Sequence, residues 1–470
     1  MLKKVPMNLA LALLMILAGI IIAIIKPFHG LGATGQIMLG TMIAALSVWI
    51  FRPGEGTSII GAAIIFLGGS LAGIPIPDLA SGFSSASLWL LISAMFLGSA
   101  LLNTGLGKRI VYAFFMRFRL TYKKILVGWF FIGVVFALLT PSITVRLLIL
   151  TPIAISVADA RLLEKQSKGR SLIVISAWVV SIFPGIAWLN GSLFGPVFTS
   201  YLPAGPMREM ATDQMWLRAM GAPWMLLSIA FLAVLYLVLK PEQELVVSKE
   251  QLRQMYDDLG PLQKKERGCL IALVFMLICL VLQTFLPITT NQSLLAALIL
   301  MLFLGVLTIK DVSHGISWDT VAFFGMTLSF SRIFEVTGIT EWLSPILSSL
   351  LEPIAFSPLV FVLALFGICL LLRFLDIAQG WILAAVLALS TPMLYSEFGL
   401  NPMVSVMVYL CAGNLFLFRY HQPWVGQVEA VCGDGGWNPR HLTTAALIYV
   451  GLAILMLIFC RFYWPLVGIL

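Results

Sequence analysis

The 470-residue chain is 60% apolar and only 11% charged, which excludes a string of water-soluble domains, since those carry about 25% charge. Its mean hydropathy of +1.02 sets the apolar residues against lipid. The net charge of +8 falls in short loops between apolar runs, which marks cytoplasmic loops and not a nucleic-acid surface.

Met7 to Ile25 follows Lys3 and Lys4 and is long enough to cross a bilayer. No small-residue cleavage site follows it, so it reads as a retained first helix and not a signal peptide. Further crossings are expected near 36–51, 57–75 and 88–106. With a cytoplasmic N-terminus, four crossings return the chain to the cytoplasm at Lys108, Arg109, Arg117, Arg119, Lys123 and Lys124. Count and charge rule agree there.

The apolar stretch 125–158 is too long for one span and too short for two. Thr140-Pro141-Ser142-Ile143-Thr144-Val145-Arg146 lies at its middle, and basic residues flank both ends. Both ends therefore belong on one side, and the expected form is a re-entrant hairpin with the polar segment at its tip. Backbone of that kind is tolerated at membrane depth only inside protein or beside a wet cavity. Helices near 171–199 and 220–240 follow. Residues 241–267 hold most of the charge of this region and read as a solvated cytoplasmic linker.

Helices near 268–287, 292–309 and 318–344 lead to a second stretch, 355–394, centred on Arg373-Phe374-Leu375-Asp376-Ile377-Ala378-Gln379-Gly380. Its flanks carry Glu352 and Glu397 and no Lys or Arg, so this hairpin is expected to open to the outside. Helices near 402–418 and 442–460 end the chain, with Arg419 and Arg440 between them on the cytoplasmic side and the C-terminus outside. Each hairpin is followed by an interrupted helix, the first broken at Pro184-Gly185 and Asn190-Gly191-Ser192, the second at Gly413-Asn414 and a polar stretch ending in Tyr420-His421-Gln422-Pro423. Asn103-Thr104-Gly105-Leu106 before the first tip is echoed by Val336-Thr337-Gly338-Ile339 before the second. Matched interruptions in halves of opposite orientation point to an inverted-repeat transporter with its site at the midplane.

The expected fold is thus an all-α polytopic membrane protein, with about eleven transmembrane helices plus two opposed re-entrant hairpins in two inverted repeats. Its parts are a first helix in 1–35, an N-terminal repeat over 36–240 with the hairpin 125–158, a linker over 241–267, and a C-terminal repeat over 268–470 with the hairpin 355–394. It is expected in the cell inner membrane.

Three arginines stand in apolar stretches: Arg146, Arg332 and Arg373. A charge at membrane depth costs about 2.5 kcal/mol or more and must face a cavity or a partner. Arg332 has Glu335 one turn away and reads as an internal ion pair. Arg373 has Asp376 three residues on. Arg146 has no acid nearby and is the preferred anion ligand, since a guanidinium grips carboxylates and oxyanions bidentately. Asp376 either neutralises Arg373 or protonates as a coupling group. The substrate-binding candidates are Ser142, Thr144, Arg146, Asn190, Gly191, Ser192, Arg373, Gln379 and Asn414. The coupling-ion candidates are Asp376, Ser142 and Asn190. His421 and His441 flank Cys432 and Asp434 in what reads as a cytoplasmic loop, and no metal site is expected. Cys269, Cys279, Cys369, Cys411, Cys432 and Cys460 have neither metal nor redox spacing.

The run from Gly82-Phe83 through Trp89, then Asn103-Thr104-Gly105-Leu106-Gly107-Lys108-Arg109-Ile110, resembles the divalent-anion/sodium symporter family of dicarboxylate, citrate and sulfate carriers. Trp318-Asp319-Thr320, Thr337-Gly338 and Trp342-Leu343 are similar to its repeated counterpart. The resemblance implies a Ser-Asn-Thr motif at each hairpin tip, binding substrate carboxylates and helping to build sodium sites. Ser142 and Thr144 match the first motif and Ile143 replaces its Asn, whereas Asp376-Ile377-Ala378 departs at all three positions. Some dicarboxylate translocators of the family also carry an arginine where Arg146 stands. The resemblance also implies a homodimer.

The expected function is secondary active transport of a small anion, a di- or tricarboxylate or an oxyanion such as sulfate, by alternating access. The partners are that anion, the bilayer and a second copy, with no nucleic acid. No cofactor is expected, and Na+ or H+ would be the coupling ion, with sodium not strictly required because Ile143 supplies no oxygen. HExxH, GxSxG, CxxC clusters and a phosphate loop are absent, which argues against an enzyme. A membrane-embedded enzyme, a channel or a transport-inactive scaffold remain the alternatives.

Overall fold

The structure is a computed structural model describing residues 7–51, 56–117, 120–202, 205–241, 249–283, 285–351, 353, 357–374, 391–392, 394–396, 399–432 and 436–469. The tip of the second hairpin, with Asp376 and Gln379, lies outside these residues. Seven of the described helices are long and apolar enough to cross a membrane, and four shorter apolar ones accompany them. No strand forms among the described residues.

The first layer is α1 (Met7–Ile25), α2 (Ala33–Phe51) and α3 (Thr57–Leu71). α1 and α2 cross at Gly19 and Gly40, where a Cβ on either would strike the other's carbonyl oxygen. Small residues at such a crossing let two apolar helices pack where lipid gives no hydrophobic drive. Most of the remaining surface of α1 stays exposed. This layer is fixed to the second half of the chain by Trp49, which packs edge-on to Phe323 at 4.7 Å, and by Asp319, which accepts from the Ile59 amide at 3.1 Å.

After a short turn at Ile76–Leu79 (α4), α5 (Ala86–Asn103) runs inward to Gly105, whose φ of 81° reverses the chain into the amphipathic α6 (Leu106–Phe115). Then comes the first hairpin: α7 (Tyr122–Leu139), a three-residue tip and α8 (Ile143–Asp159). The tip follows from its residues. Thr140 is extended, with φ −156° and ψ 129°, as the residue before a proline must be. Pro141 has no N–H to continue a helix. Ser142 then caps α8, accepting from the Val145 amide.

Both ends of the hairpin lie on one side. Tyr122 at the start of α7 touches Gly169, and Asp159 at the end of α8 pairs with Arg170 at 2.6 Å, both against the start of α9 (Lys168–Val180). The tip meets α5 at its middle, where the Thr140 hydroxyl donates to the Ala94 carbonyl at 3.5 Å. It therefore stands at half the depth of that helix, and the arms descend from there past α6 to the basic residues.

The first interrupted helix is α9, a short turn at Phe183–Ile186 (α10), an irregular stretch and α11 (Phe194–Tyr201). Two short elements, α12 (Pro206–Glu209) and α13 (Asp213–Trp216), precede α14 (Ala222–Leu239). The described part of the linker exposes most of its charged residues and packs through one face. Its helix α15 (Lys249–Asp257) buries Leu252, and Tyr256 lies under the Arg109 guanidinium at 5.3 Å. Arg109 grips Glu266, in the first turn of α16 (Lys264–Leu282), through Nε at 2.9 Å and Nη2 at 3.2 Å. The linker is thus a clasp between α6 and α16.

α17 (Thr290–Phe303) and α18 (Ile309–His314) follow. The single helix expected over 318–344 is three: α19 (Trp318–Thr327), α20 (Phe330–Val336) and α21 (Ile339–Leu351), with Gly338 at φ 69° before the last. Arg332 reaches Asp78 at 2.7 Å as well as Glu335 at 3.2 Å. α22 (Pro358–Arg373) lies in the stretch expected to form the second hairpin, and α23 (Pro402–Gly413) begins the second interrupted helix. The expected cytoplasmic loop from 419 onward is instead the continuation of that helix. A short 3-10 turn at Arg419–His421 leads into α24 (Pro423–Cys432), which packs on α8, and α25 (Pro439–Leu466) ends the chain.

Candidate functional site

The two interrupted helices meet at their breaks. Trp178, just before the first break, is edge-on to Phe416 in the second at 4.7 Å. Phe183 and Phe416 both pack on Tyr449, at 5.2 and 5.6 Å. Tyr449 donates to the Cys411 carbonyl at 2.6 Å. Against this aromatic plug stands the first hairpin tip.

Arg146 lies one turn into α8 and is completely buried. Its Nη2 donates to the Pro141 carbonyl at 3.4 Å, while Nε and Nη1 have no partner among the described residues. The guanidinium is laid against the first break: a Cβ on Gly185 would come within 2.5 Å of Nη1 and collide with the Gly191 carbonyl oxygen. Only glycine fits at 185 and 191, because the loop folds back on itself around the arginine. No carboxylate pairs with Arg146 among the described residues, and Asp159, its nearest acid in sequence, is taken by Arg170.

Ser142 and Thr144 stand on the other side of the tip. They line a cavity of about 630 Å³ with Asn103, His314, Thr320 and Gln427. On α5 the cavity follows one face from Leu91 to Asn103, so it extends about 18 Å from mid-helix toward the basic end. No Asp, Glu, Lys or Arg is among its lining residues. The Thr144 hydroxyl accepts from Trp424 Nε1 at 3.2 Å, which ties the first tip to the second interrupted helix.

Asn190 and Gly191 line a smaller cavity of about 200 Å³ with Trp188, Asp213, Gln283 and Thr290. The Asn190 amide donates to Asp213 at 3.0 Å. Pro141 borders both cavities, so the tip is the partition between them. Gln283 and Thr290 stand at the ends of α16 and α17 opposite to Glu266, which puts the smaller cavity on the far side.

Ser192 is buried with its hydroxyl unpartnered among the described residues. Asn414 is buried in the second break, its amide donating to the Leu410 carbonyl at 2.9 Å and its Oδ1 unmatched among the described residues. Arg373, at the end of α22, is buried and donates to the His421 carbonyl. Polar atoms left without partners thus collect around the tip and breaks: Arg146, Ser192, Asn414, His421, Gln422 and Gln427. Buried polar groups are ordinarily satisfied, and a cluster of exceptions marks a place where a ligand, ion or water completes the set.

The structure therefore brings Ser142 and Thr144 into one cavity, Asn190 and Gly191 into another, and Arg146 into the wall behind the tip. His314 and Gln427 are lining residues that no motif in the sequence singles out, whereas Asn103 and Thr320 belong to runs that carry the repeat and the family resemblance. Among the described residues no cluster of His, Cys, Asp or Glu could hold a metal ion, and all six cysteines are free.

A family model described as sodium:sulfate symporter transmembrane region matches residues 7–470. The chain is 24% identical over 367 residues to the putative malate transporter YflS of Bacillus subtilis, covering 74% of each chain. It is 24% identical over 327 residues to the inner membrane protein YbhI of Escherichia coli, covering 67% of this chain and 68% of that one. It is 22% identical over 346 residues to the chloroplastic dicarboxylate transporter 1 of Spinacia oleracea, covering 70% of this chain and 59% of that one. Among solved structures, the YdaH transporter of Alcanivorax borkumensis, described as having an unusual topology, aligns with a TM-score of 0.51 at 14% identity over 85% of this chain and 90% of that one. That likeness bears on the fold alone.

Proposed function

The chain belongs to the family of sodium:sulfate symporter transmembrane regions, and on that premise we propose that it is a secondary active transporter of a small dianion, a dicarboxylate or sulfate, and not an enzyme. The observation that carries this reading is the first hairpin tip. Two hydroxyls, Ser142 and Thr144, face a cavity large enough for a small organic anion. Behind them stand the capped N-terminus of α8 and the buried Arg146. The helix dipole and the guanidinium both favour negative charge at the tip, and no acid lines the cavity to oppose it.

Arg146 acts through the wall on this reading, lending field and holding the Pro141 carbonyl, and Ser142 and Thr144 make the contacts. Asn190, Gly191 and Ser192 serve the far side of the tip, and Arg373 and Asn414 the second break. Alternating access opens the cavities on the two sides of Pro141 in turn. The basic face is cytoplasmic, the N-terminus lies in the cytoplasm and the C-terminus outside, in the cell inner membrane. The two halves are inverted repeats, and the working unit is a homodimer.

Sodium is not a strict requirement in this scheme. Ile143 is fully buried at the tip and offers no oxygen, and a fixed guanidinium already stands beside the first break. The coupling ion is Na+ or H+, with Ser142, Asn190 and Asp376 as candidate groups. The test is uptake of labelled dicarboxylates, citrate and sulfate into proteoliposomes, in sodium and in choline buffers. Substrate-specific uptake that persists in choline is expected. Absence of uptake for the whole panel would overturn the transport reading, and uptake that vanishes without sodium would overturn the coupling one.

A further inference from the structure

The base of the first hairpin, at the end opposite its tip, holds a separate cavity of about 350 Å³. Tyr122, Glu164, Ser167, Lys168, Gly169 and His441 line it. The start of α7, the turn after α8, the start of α9 and the start of α25 converge there. Ser167 caps α9, accepting from the Arg170 amide, and the Gly169 amide has no acceptor among the described residues. Tyr122 is 7% exposed. Its hydroxyl lies against Gly169, where a Cβ would strike it. That hydroxyl has no hydrogen-bond partner among the described residues, and it keeps access to the cavity.

His441 supplies a third donor. The Ser171 hydroxyl accepts from the Asn438 amide at 3.0 Å, so its own proton turns to His441 Nδ1 at 2.9 Å. The neutral ring then carries its proton on Nε2, and the charged ring carries one there as well. Lys168 and Glu164 are both exposed and offset each other in charge, so recognition rests on the donors. A helix N-terminus favours an anion, and a buried hydroxyl without a partner marks a place that a ligand completes. Donors from α7, α9 and α25 match the several oxygens of one tetrahedral oxyanion. We infer that this cavity is a phosphate-binding site, separate from the cavities at the tip, and that bound phosphate fastens the base of the hairpin to α25. The cavity lies at the ends of membrane-crossing helices, within reach of phospholipid headgroups and of phosphate in solution. The inference stands apart from the transport reading.

The experiment follows thermal unfolding of the full chain in detergent as sodium chloride is replaced by sodium phosphate at constant sodium. A second series adds short-chain phosphatidylglycerol instead of phosphate. At least one probe should raise the unfolding temperature saturably. A shift with phosphate alone identifies a soluble ligand, a shift with the lipid alone a headgroup, and a shift with both a site open to either source. Tyr122→Phe removes only the hydroxyl and should weaken the apparent affinity about tenfold, the worth of one hydrogen bond to a charged group. His441→Leu tests the same site from α25 and should act in the same direction, which keeps the test intact where the first variant folds poorly. The absence of a saturable shift with either probe in the wild type would overturn the inference. So would an undiminished affinity in both variants, which would place the anion elsewhere, the tip cavities included.

Discussion

The Trp424 indole donates to the Thr144 hydroxyl at 3.2 Å across a sequence separation of 280, and through this bond the first hairpin tip is fixed to the second interrupted helix. The indole ring is held in turn by Phe194 of α11, edge-on at 5.8 Å. Thr144→Val and Trp424→Phe each remove one partner while largely preserving shape. In a double-mutant cycle read by thermal unfolding in detergent, the pair should show a coupling of about 1 kcal/mol. Additive effects would mean that the bond carries no energy and that the tip is positioned by packing alone.

The fold-back at Gly185 and Gly191 gives a second test. Gly185→Ala would press a methyl group into Arg146 Nη1 and the Gly191 carbonyl, and Gly191→Ala would strike the Gly185 carbonyl. The colliding atoms are mostly backbone, so the loop must shift, and both variants should lose at least tenfold in uptake. Gly413→Ala, at the end of α23, meets nothing within 4 Å. It should keep uptake within about twofold, as a Gly→Ala change does where space and backbone allow it. A harmless Gly185→Ala would show that the break is not tightly set around the guanidinium.

The first hairpin is legible in the sequence because its physics is local. Lysines mark its start, and Thr140-Pro141-Ser142 carries an extended residue, a helix breaker and a cap in order. α24 is not legible. Arg419 and His421 read as parts of a solvent loop, yet His421 and the neighbouring Gln422 are buried. A polar run inside a broken helix and a polar run between helices look alike until tertiary packing decides which is covered. The same limit hides Gln427 and His314, whose place in the cavity wall depends on helices far apart in sequence. Arg146 stands out by composition alone, but its position in the wall behind the tip depends on glycines 39 and 45 residues further along the chain.

The linker clasp makes a separate prediction about stability. The side chains of Arg109 and Glu266 are 9% and 4% exposed and meet through two hydrogen bonds. Glu266→Ala leaves a buried guanidinium without its carboxylate, and such a break costs about 3–5 kcal/mol. Arg109→Met combined with Glu266→Leu removes both charges and should restore much of that loss, because the desolvation of both ions is relieved. Thermal unfolding of the three variants checks the order. A loss below about 1 kcal/mol for Glu266→Ala would place the pair among ordinary surface bridges.

Arg146 gives the sharpest contrast between stability and function. A buried charge normally survives because a partner compensates for it, and removing it strands that partner. Here the described residues include no carboxylate partner, only the Pro141 carbonyl at 3.4 Å. Arg146→Met keeps most of the volume and removes the cost of holding a guanidinium away from water. The variant should unfold at the same temperature as the wild type or a higher one. Anion uptake should fall at least tenfold, since the tip loses the positive field behind Ser142 and Thr144. Arg146→Lys keeps the charge but not the planar fork, and should retain an intermediate level of uptake. Paired measurements of unfolding temperature and uptake separate the cases. A strongly destabilised Arg146→Met variant would reveal a compensating partner for the guanidinium, and normal uptake by a well-folded one would remove Arg146 from the anion site altogether.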